Sequence, residues 1–216
     1  MIQEGLTAFF VEILIELKEQ FSRRNTAVIL KVNFDEGDTM IWIWAIPNTY
    51  PNKRIGEYIQ DSGTDRFVFR QGKVISEDVI YPKIVFEYSE KYLSDVLPNN
   101  GQLIIVSKKV LEIMEDVCPQ DIQVFDANVF VGEKRISNYY LINIVNAVEA
   151  INKEASEFTS IKGTDAILNF NKIVYKTDDL GKYNLVRNAD YRSHILVSDY
   201  IKDRFEKENI KGVQFN

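Results

Sequence analysis

Few residues in this chain have the type and spacing to do chemistry. There is one histidine, His194, and one cysteine, Cys118. A serine or cysteine nucleophile needs a base beside it, and only His194 could serve in that way. His194 opens an apolar strand-like run next to Ser193, and the chain has no Gly-x-Ser-x-Gly elbow, so a structural histidine is expected. Cys118 precedes Pro119 at the end of a predicted helix, whereas reactive thiolates favour helix N-termini, so it reads as inert. A single cysteine rules out an intramolecular disulfide and any cysteine-based zinc or iron–sulfur cluster, and a single histidine rules out a His-rich metal site. The glycines form no Gly-x-Gly-x-x-Gly and no Gly-x-x-x-x-Gly-Lys-Ser/Thr, which disfavours nucleotide binding by those routes. No cofactor and no bound metal are expected.

Carboxylates remain as candidates. Asp121/Asp126, Asp178/Asp179 and Glu112/Glu115/Asp116 could supply paired acids for a hydrolase or lyase, or oxygens for a hard cation. None has the spacing of a ligand loop, and solvated surface charge is the simpler reading. One acidic group is better organised. On a helix expected from Asp199 to Glu208, Asp199, Asp203 and Glu206 fall on one face at i, i+4 and i+7, while Ile201 and Phe205 point the other way. Lys202 and Lys207 lie beside the acids. The face is either self-neutralising or a platform for a basic partner, where complementary charge speeds association.

Those residues are carried by a chain of 216 residues, 45% hydrophobic and 27% charged, with net charge −6 and a pI near 5.0. An acidic balance is a poor basis for phosphate-backbone binding, so no nucleic-acid partner is expected. The most apolar early stretch, Ala8 to Leu17, is interrupted by Glu12 and Glu16, and no run approaches the roughly 20 apolar residues of a spanning helix. A cytoplasmic protein without membrane association is expected.

The positioning elements are legible in part. Residues 2–22 read as an amphipathic helix with Ile2, Leu6, Phe9, Ile13, Leu17 and Phe21 at helical spacing, either docked on a sheet or offering a self-association face that leaves the oligomeric state open. Runs at 27–32 and 40–46 read as a hairpin, with Trp42 and Trp44 on one face and Ile41 and Ile43 on the other. A Trp pair could stack a ligand, but apolar residues on both faces point to a strand covered on both sides. Residues 48–64 look like loop, and short strands are expected at 66–69 and 83–88. Pro98-Asn99-Asn100-Gly101 marks a break. It separates residues 1–97, a helix with a β-rich subdomain, from an α+β domain at 98–216, unless the two form one unit.

The second half carries one pattern twice. Leu103–Ser107, a helix over 108–117 and Ile122–Phe125 are echoed by His194–Ser198, a helix over 199–208 and Gly212–Phe215. Each copy reads as strand, Ser cap, helix, strand, and each serine hydroxyl could accept from N–H groups of the first turn. The expected fold class is therefore α+β: mostly antiparallel sheets, a long N-terminal helix, and two strand-Ser-helix-strand units in the C-terminal half. Short connections between the strands of 123–187 favour antiparallel pairing.

The order of Leu103–Ser107, then Asn138-Tyr139-Tyr140-Leu141-Ile142-Asn143-Ile144 running into Val148–Ser156, and the ending Ile195–Ser198 through Gly212-Val213-Gln214-Phe215, resembles a family of bacterial immunity proteins of polymorphic toxin systems. The resemblance covers about residues 95–216. In the middle block the family pattern has Asp where this chain has Asn152. The resemblance implies a non-enzymatic protein that binds and neutralises a cognate toxin, and it supplies no catalytic residues. A toxin acting on nucleic acid is commonly basic, which an acidic inhibitor would complement. The first places to look for partner contacts are Asp199, Asp203 and Glu206, then Asp178 and Asp179, then Tyr139 and Tyr140. The other readings are a carboxylate-dependent enzyme and an oligomerising structural module.

Overall fold

Strand β1 (Trp42–Ala45) sits inside a five-stranded sheet, between β13 (Ile195–Val197) and β14 (Gln214–Phe215). The sheet continues through β12 (Leu185–Asn188) to β9 (Ala147–Val148). This computed structural model describes residues 41–160, 167–176 and 180–216. Both edges of β1 are taken, by Trp42↔Val197 and Trp44↔Ile195 on one side and Trp44↔Phe215 on the other. The hairpin expected between 27–32 and 40–46 has only its second run among the described residues. Residues 27–32, like the long helix expected at 2–22, lie outside the described residues.

A second, three-stranded sheet has β8 (Tyr139–Ile144) in its centre, with β4 (Ile104–Ser107) and β5 (Ile122–Asp126) antiparallel on either side. Helix α1 (Lys108–Val117) joins β4 to β5, and helix α2 (Asp199–Lys207) joins β13 to β14. In each unit the two joined strands are antiparallel to the strand between them, and so parallel to each other. The helical crossover supplies the chain length that such a connection needs. The inserted strand comes from elsewhere: β8 in one unit, β1 in the other. The remaining strands are β2 (Glu57–Tyr58), β3 (Lys83–Phe86), β6 (Asn128–Val131) and β7 (Lys134–Ile136) in a four-stranded sheet, and β10 (Glu157–Ser160) with β11 (Ile167–Lys172) as a pair.

This layout corrects the expected fold class. Among the described residues the two α-helices have ten and nine residues, and the sheets are mixed: β3 runs parallel to β6, and β9 parallel to β12. The physical reason lies in the connections. Short links favour antiparallel neighbours, but the whole β4-α1-β5 unit intervenes between β3 and β6 and acts as a long crossover. Alternation of apolar residues reports which side chains face a core, not which strand lies alongside. Residues 66–69, expected as a strand, form instead a turn leading into a 3-10 helix at Val68–Arg70.

Apolar runs are explained by burial on two faces. On β4, Ile104 and Val106 join a core with Val110, Met114, Ile142 and Phe205, while Ile105 faces another with Phe69, Ile84, Phe86 and Leu97. On β1, Trp44 packs edge-on to Phe205 at 5.4 Å and to Phe215 at 6.1 Å. Ile41 and Ile43 pack on the opposite side against Ala150, Val186 and Leu196. The tryptophans are thus partly buried, packed against the core between sheet and helix.

The two serine caps differ. Ser107 Oγ accepts from Val110 N–H, at a long 3.4 Å. Ser198 makes no such side-chain bond; it is buried and donates to Asn184 Oδ1 at 2.8 Å. Asn184 in turn donates from Nδ2 to the carbonyl of Val117 at the end of α1. All these elements belong to one compact unit, Gly37–Asn216.

Candidate functional site

Helix α2 brings Asp199, Asp203 and Glu206 together as the sequence spacing requires. Ile201 and Phe205 are each 1% exposed, so the acids face outward. The face is partly neutralised from within. Trp42 Nε1 donates to Asp199 Oδ1 at 2.7 Å, and Lys202 Nζ lies 2.9 Å from Glu206 Oε2 and 3.5 Å from Asp203 Oδ1. The same ammonium stands 4.7 Å from the centre of the Trp42 ring. The hydrogen bond to Glu206 raises the pKa of Lys202 above its ordinary value, which keeps it charged. Asp203 and Glu206 remain well exposed, and Tyr200 on the same helix is 56% exposed.

Tyr139 and Tyr140 alternate on β8 and so face opposite sides of its sheet. Tyr139 packs with the Phe69–Phe86 core and donates to the Ser94 carbonyl at 3.0 Å; burial pushes its hydroxyl up to about 12. Tyr140 is half-buried against the core that α2 covers. Tyr139 is therefore not placed with the acids of α2. Asp178 and Asp179 lie outside the described residues.

The single histidine and single cysteine occupy structural positions. His194 Nδ1 shares a hydrogen bond with the Tyr175 hydroxyl, and the ring meets Tyr191 edge-on at 4.6 Å. Burial lowers its pKa, favouring the neutral ring. Cys118 is fully buried, and desolvation pushes its thiol up to about 12. It should therefore resist a maleimide in the folded protein and label once denaturant is added; fast labelling of the native state would contradict this burial. Among the described residues no group of three or more His, Cys, Asp or Glu side chains is arranged to hold a metal ion.

A second surface was not visible in the sequence. In the 3-10 turn at Val68–Arg70, residues three apart stack over one another, and Arg70 N–H donates to the Phe67 carbonyl. Arg70 thereby sits 5.3 Å from the Phe67 ring, and Arg66 approaches the same ring at 5.0 Å. A strand would have put Phe67 and Arg70 on opposite faces. Phe67 is 55% exposed and Tyr191, across from it, 42%. Between them lies an open hollow of about 330 Å³ lined by Phe67, Arg70, Gln71, Tyr191, Arg192 and Ser193. Exposed aromatics beside arginines are the side chains that dominate protein–protein hot spots.

Residues 50–216 match the family model described as an immunity protein family, Imm11. The match begins well upstream of the stretch from about residue 95 that carries the visible resemblance, and it takes in β2 and β3 and both walls of the hollow. No curated protein matches the chain.

Proposed function

Because the chain belongs to the Imm11 immunity protein family, we propose that it neutralises a cognate bacterial toxin by binding it stoichiometrically, without catalysis, inside the cell that carries both. The family match carries this reading. Physical support comes from the surface: charged and aromatic side chains stand exposed on α2, and inhibition by binding needs no reactive group. A stable complex of this kind would cover roughly 800 Å² on this side. The partner is a toxin domain of polymorphic toxin type, and its basic surface would meet Asp203 and Glu206 across α2. Asp199 contributes there by holding Trp42 in place as much as by its charge.

Co-expression with the toxin domain encoded beside it tests the reading directly. Growth should be rescued, and the two chains should co-elute at one-to-one ratio from a sizing column at physiological salt. Rescue without a complex would point away from binding and towards a catalytic antidote. For the surface, the pair Asp203→Lys with Glu206→Lys should slow association about tenfold at low salt, with a smaller effect at high salt, because rim charges act mainly on the on-rate. An unchanged on-rate at low salt would remove α2 from the interface.

A further inference from the structure

Behind the hollow between Phe67 and Tyr191 lies a buried cation with no counter-ion among the described residues. Arg187 points from β12 and is 1% exposed. Its Nη1 donates to the carbonyl of Arg192 at 3.1 Å and its Nη2 to that of Phe69 at 3.4 Å, one bond to each of the two segments that carry the hollow's arginines. Its Nε has no hydrogen-bond partner among the described residues, nor has the buried Nε of Arg70. Among the described residues no carboxylate lies within ion-pair distance of Arg66, Arg70, Arg187 or Arg192. The neighbouring acid, Asp190, gives Oδ1 to Lys153 at 2.8 Å and keeps Oδ2 buried, beyond ion-pair distance of these arginines. Ser193 lines both the hollow and a second, partly open cavity of about 210 Å³ that Arg187 also borders.

Charges out of water are normally paired, and a guanidinium left with two carbonyls is under-compensated. Burial and the nearby Arg70 charge both lower its pKa, the expected response to missing negative charge. Packing alone does not account for the arrangement. Two guanidinium groups, Arg70 and Arg192, line the hollow, and a third, Arg187, lies buried behind it, bonded to the Arg192 carbonyl, in a chain whose net charge is −6. The planar guanidinium fork matches a carboxylate through paired N–H···O bonds. The rim decides between a free inorganic anion and a protein carboxylate. Phe67 and Tyr191 leave ring surface in water on both sides of the opening, which a small ion would not cover but a peptide chain would.

We propose that this hollow receives the carboxylate of an aspartate or glutamate side chain presented by the toxin, with Arg70 and Arg192 holding it, Arg187 supplying positive charge from below, and Phe67 and Tyr191 packing against the flanking chain. The proposal rests on the reading of the chain as a toxin-binding immunity protein. It adds an anchor of opposite sign to the acidic face of α2, and two anchors of opposite sign fix the orientation of a partner.

The test follows the arginine Nε–H signals of the full-length, nitrogen-15-labelled protein during titration with sodium glutarate, with sodium sulfate at matched ionic strength as the inorganic control. The Arg70 and Arg187 signals, assigned by their loss in Arg70→Gln and Arg187→Lys, should shift saturably with glutarate and only weakly with sulfate. Arg192→Gln should weaken glutarate binding at least fivefold. No saturable shift would overturn the site, and tighter binding of sulfate would reassign it to a free inorganic anion. In a second arm, the Arg70→Gln/Arg192→Gln double variant should bind the toxin at least tenfold more weakly. Unchanged toxin affinity alongside a working glutarate site would overturn the toxin as the source of the carboxylate. Should the wild-type chain fail to bind the toxin at all, the immunity reading fails with that source, while the glutarate arm still decides whether the anion site exists.

Discussion

Replacing Gly212 by alanine should destabilise the protein by about 4 kcal/mol, a large share of the roughly 5–15 kcal/mol that holds an ordinary domain folded. Two effects add. Gly212 has φ of +92°, a backbone conformation that L-residues adopt only with strain of about 1–2 kcal/mol. In addition, a Cβ at this position would lie 2.0 Å from the Val96 carbonyl oxygen and 2.7 Å from Ser94 Oγ. The chain cannot retreat easily, because Lys211 is fixed on both sides: its N–H donates to Asp95 Oδ2, and its carbonyl accepts from Val96 N–H. Forcing a methyl into such a contact costs a further ~2–3 kcal/mol. The glycine thus lets the chain leave α2, cross the segment before β4 and re-enter the sheet as β14. Chemical denaturation monitored by tryptophan fluorescence measures it, since Trp44 packs against Phe215 of that strand. An alanine variant within 1 kcal/mol of wild type would show that the crossing can relax.

The same C-terminal stretch shows what a sequence can and cannot reveal. The spacing of Asp199, Asp203 and Glu206 against Ile201 and Phe205 reads correctly as one outward and one inward face, because a helix is a local structure with a fixed period. The paired Trp42 and Trp44 read as packing residues because both faces of their run are apolar, and both do pack against the core while staying partly exposed. Pairing does not read from the sequence. Nothing local to β1 says that its two neighbours are β13 and β14, from the far end of the chain, and the antiparallel bias of short links hides the parallel pairs. The basic hollow is hidden for both reasons at once. Its walls are far apart in sequence, with Arg187 reaching Phe69 across 118 positions, and Arg66-Phe67-Val68-Phe69-Arg70 looks like a strand. Only when Val68–Arg70 closes as a 3-10 turn do Phe67 and Arg70 share a side. An arginine in the middle of an apolar strand, as Leu185-Val186-Arg187 presents, is the one local signal that could have pointed there, since such a side chain needs a specific reason to be buried.

Asp121 offers the second large effect, and it has a pH dependence of definite sign. Its carboxylate is fully buried where α1 ends. Oδ2 accepts from the N–H groups of Asn184 and Leu185 at 2.8 and 3.1 Å, and Oδ1 accepts from Asn146 Nδ2 at 3.1 Å. One side chain therefore ties the start of β5 to the start of β12 and to the link between β8 and β9. Asp121→Ala strands two backbone donors and an amide in a site closed to water. At about 1–3 kcal/mol for each unsatisfied group, and allowing for relaxation and for the removal of a buried charge, the loss should be about 3 kcal/mol. Asp121→Asn keeps an oxygen facing the two backbone donors and should lose less than half as much. Burial outweighs these hydrogen bonds and raises the Asp121 pKa above its ordinary 3.8, so the protonated form is the one that folding favours. A raised folded-state pKa gives stability that is fully present below the unfolded value and lost as pH rises through the folded value. The wild-type protein should thus gain on Asp121→Asn as pH falls towards 4, because the asparagine has no proton to take up. Paired denaturation curves from pH 7 down to 4 read this as a difference, in which the titration of all other groups cancels. A gap that narrows on acidification would mean that the three hydrogen bonds, and not burial, set the protonation of this carboxylate.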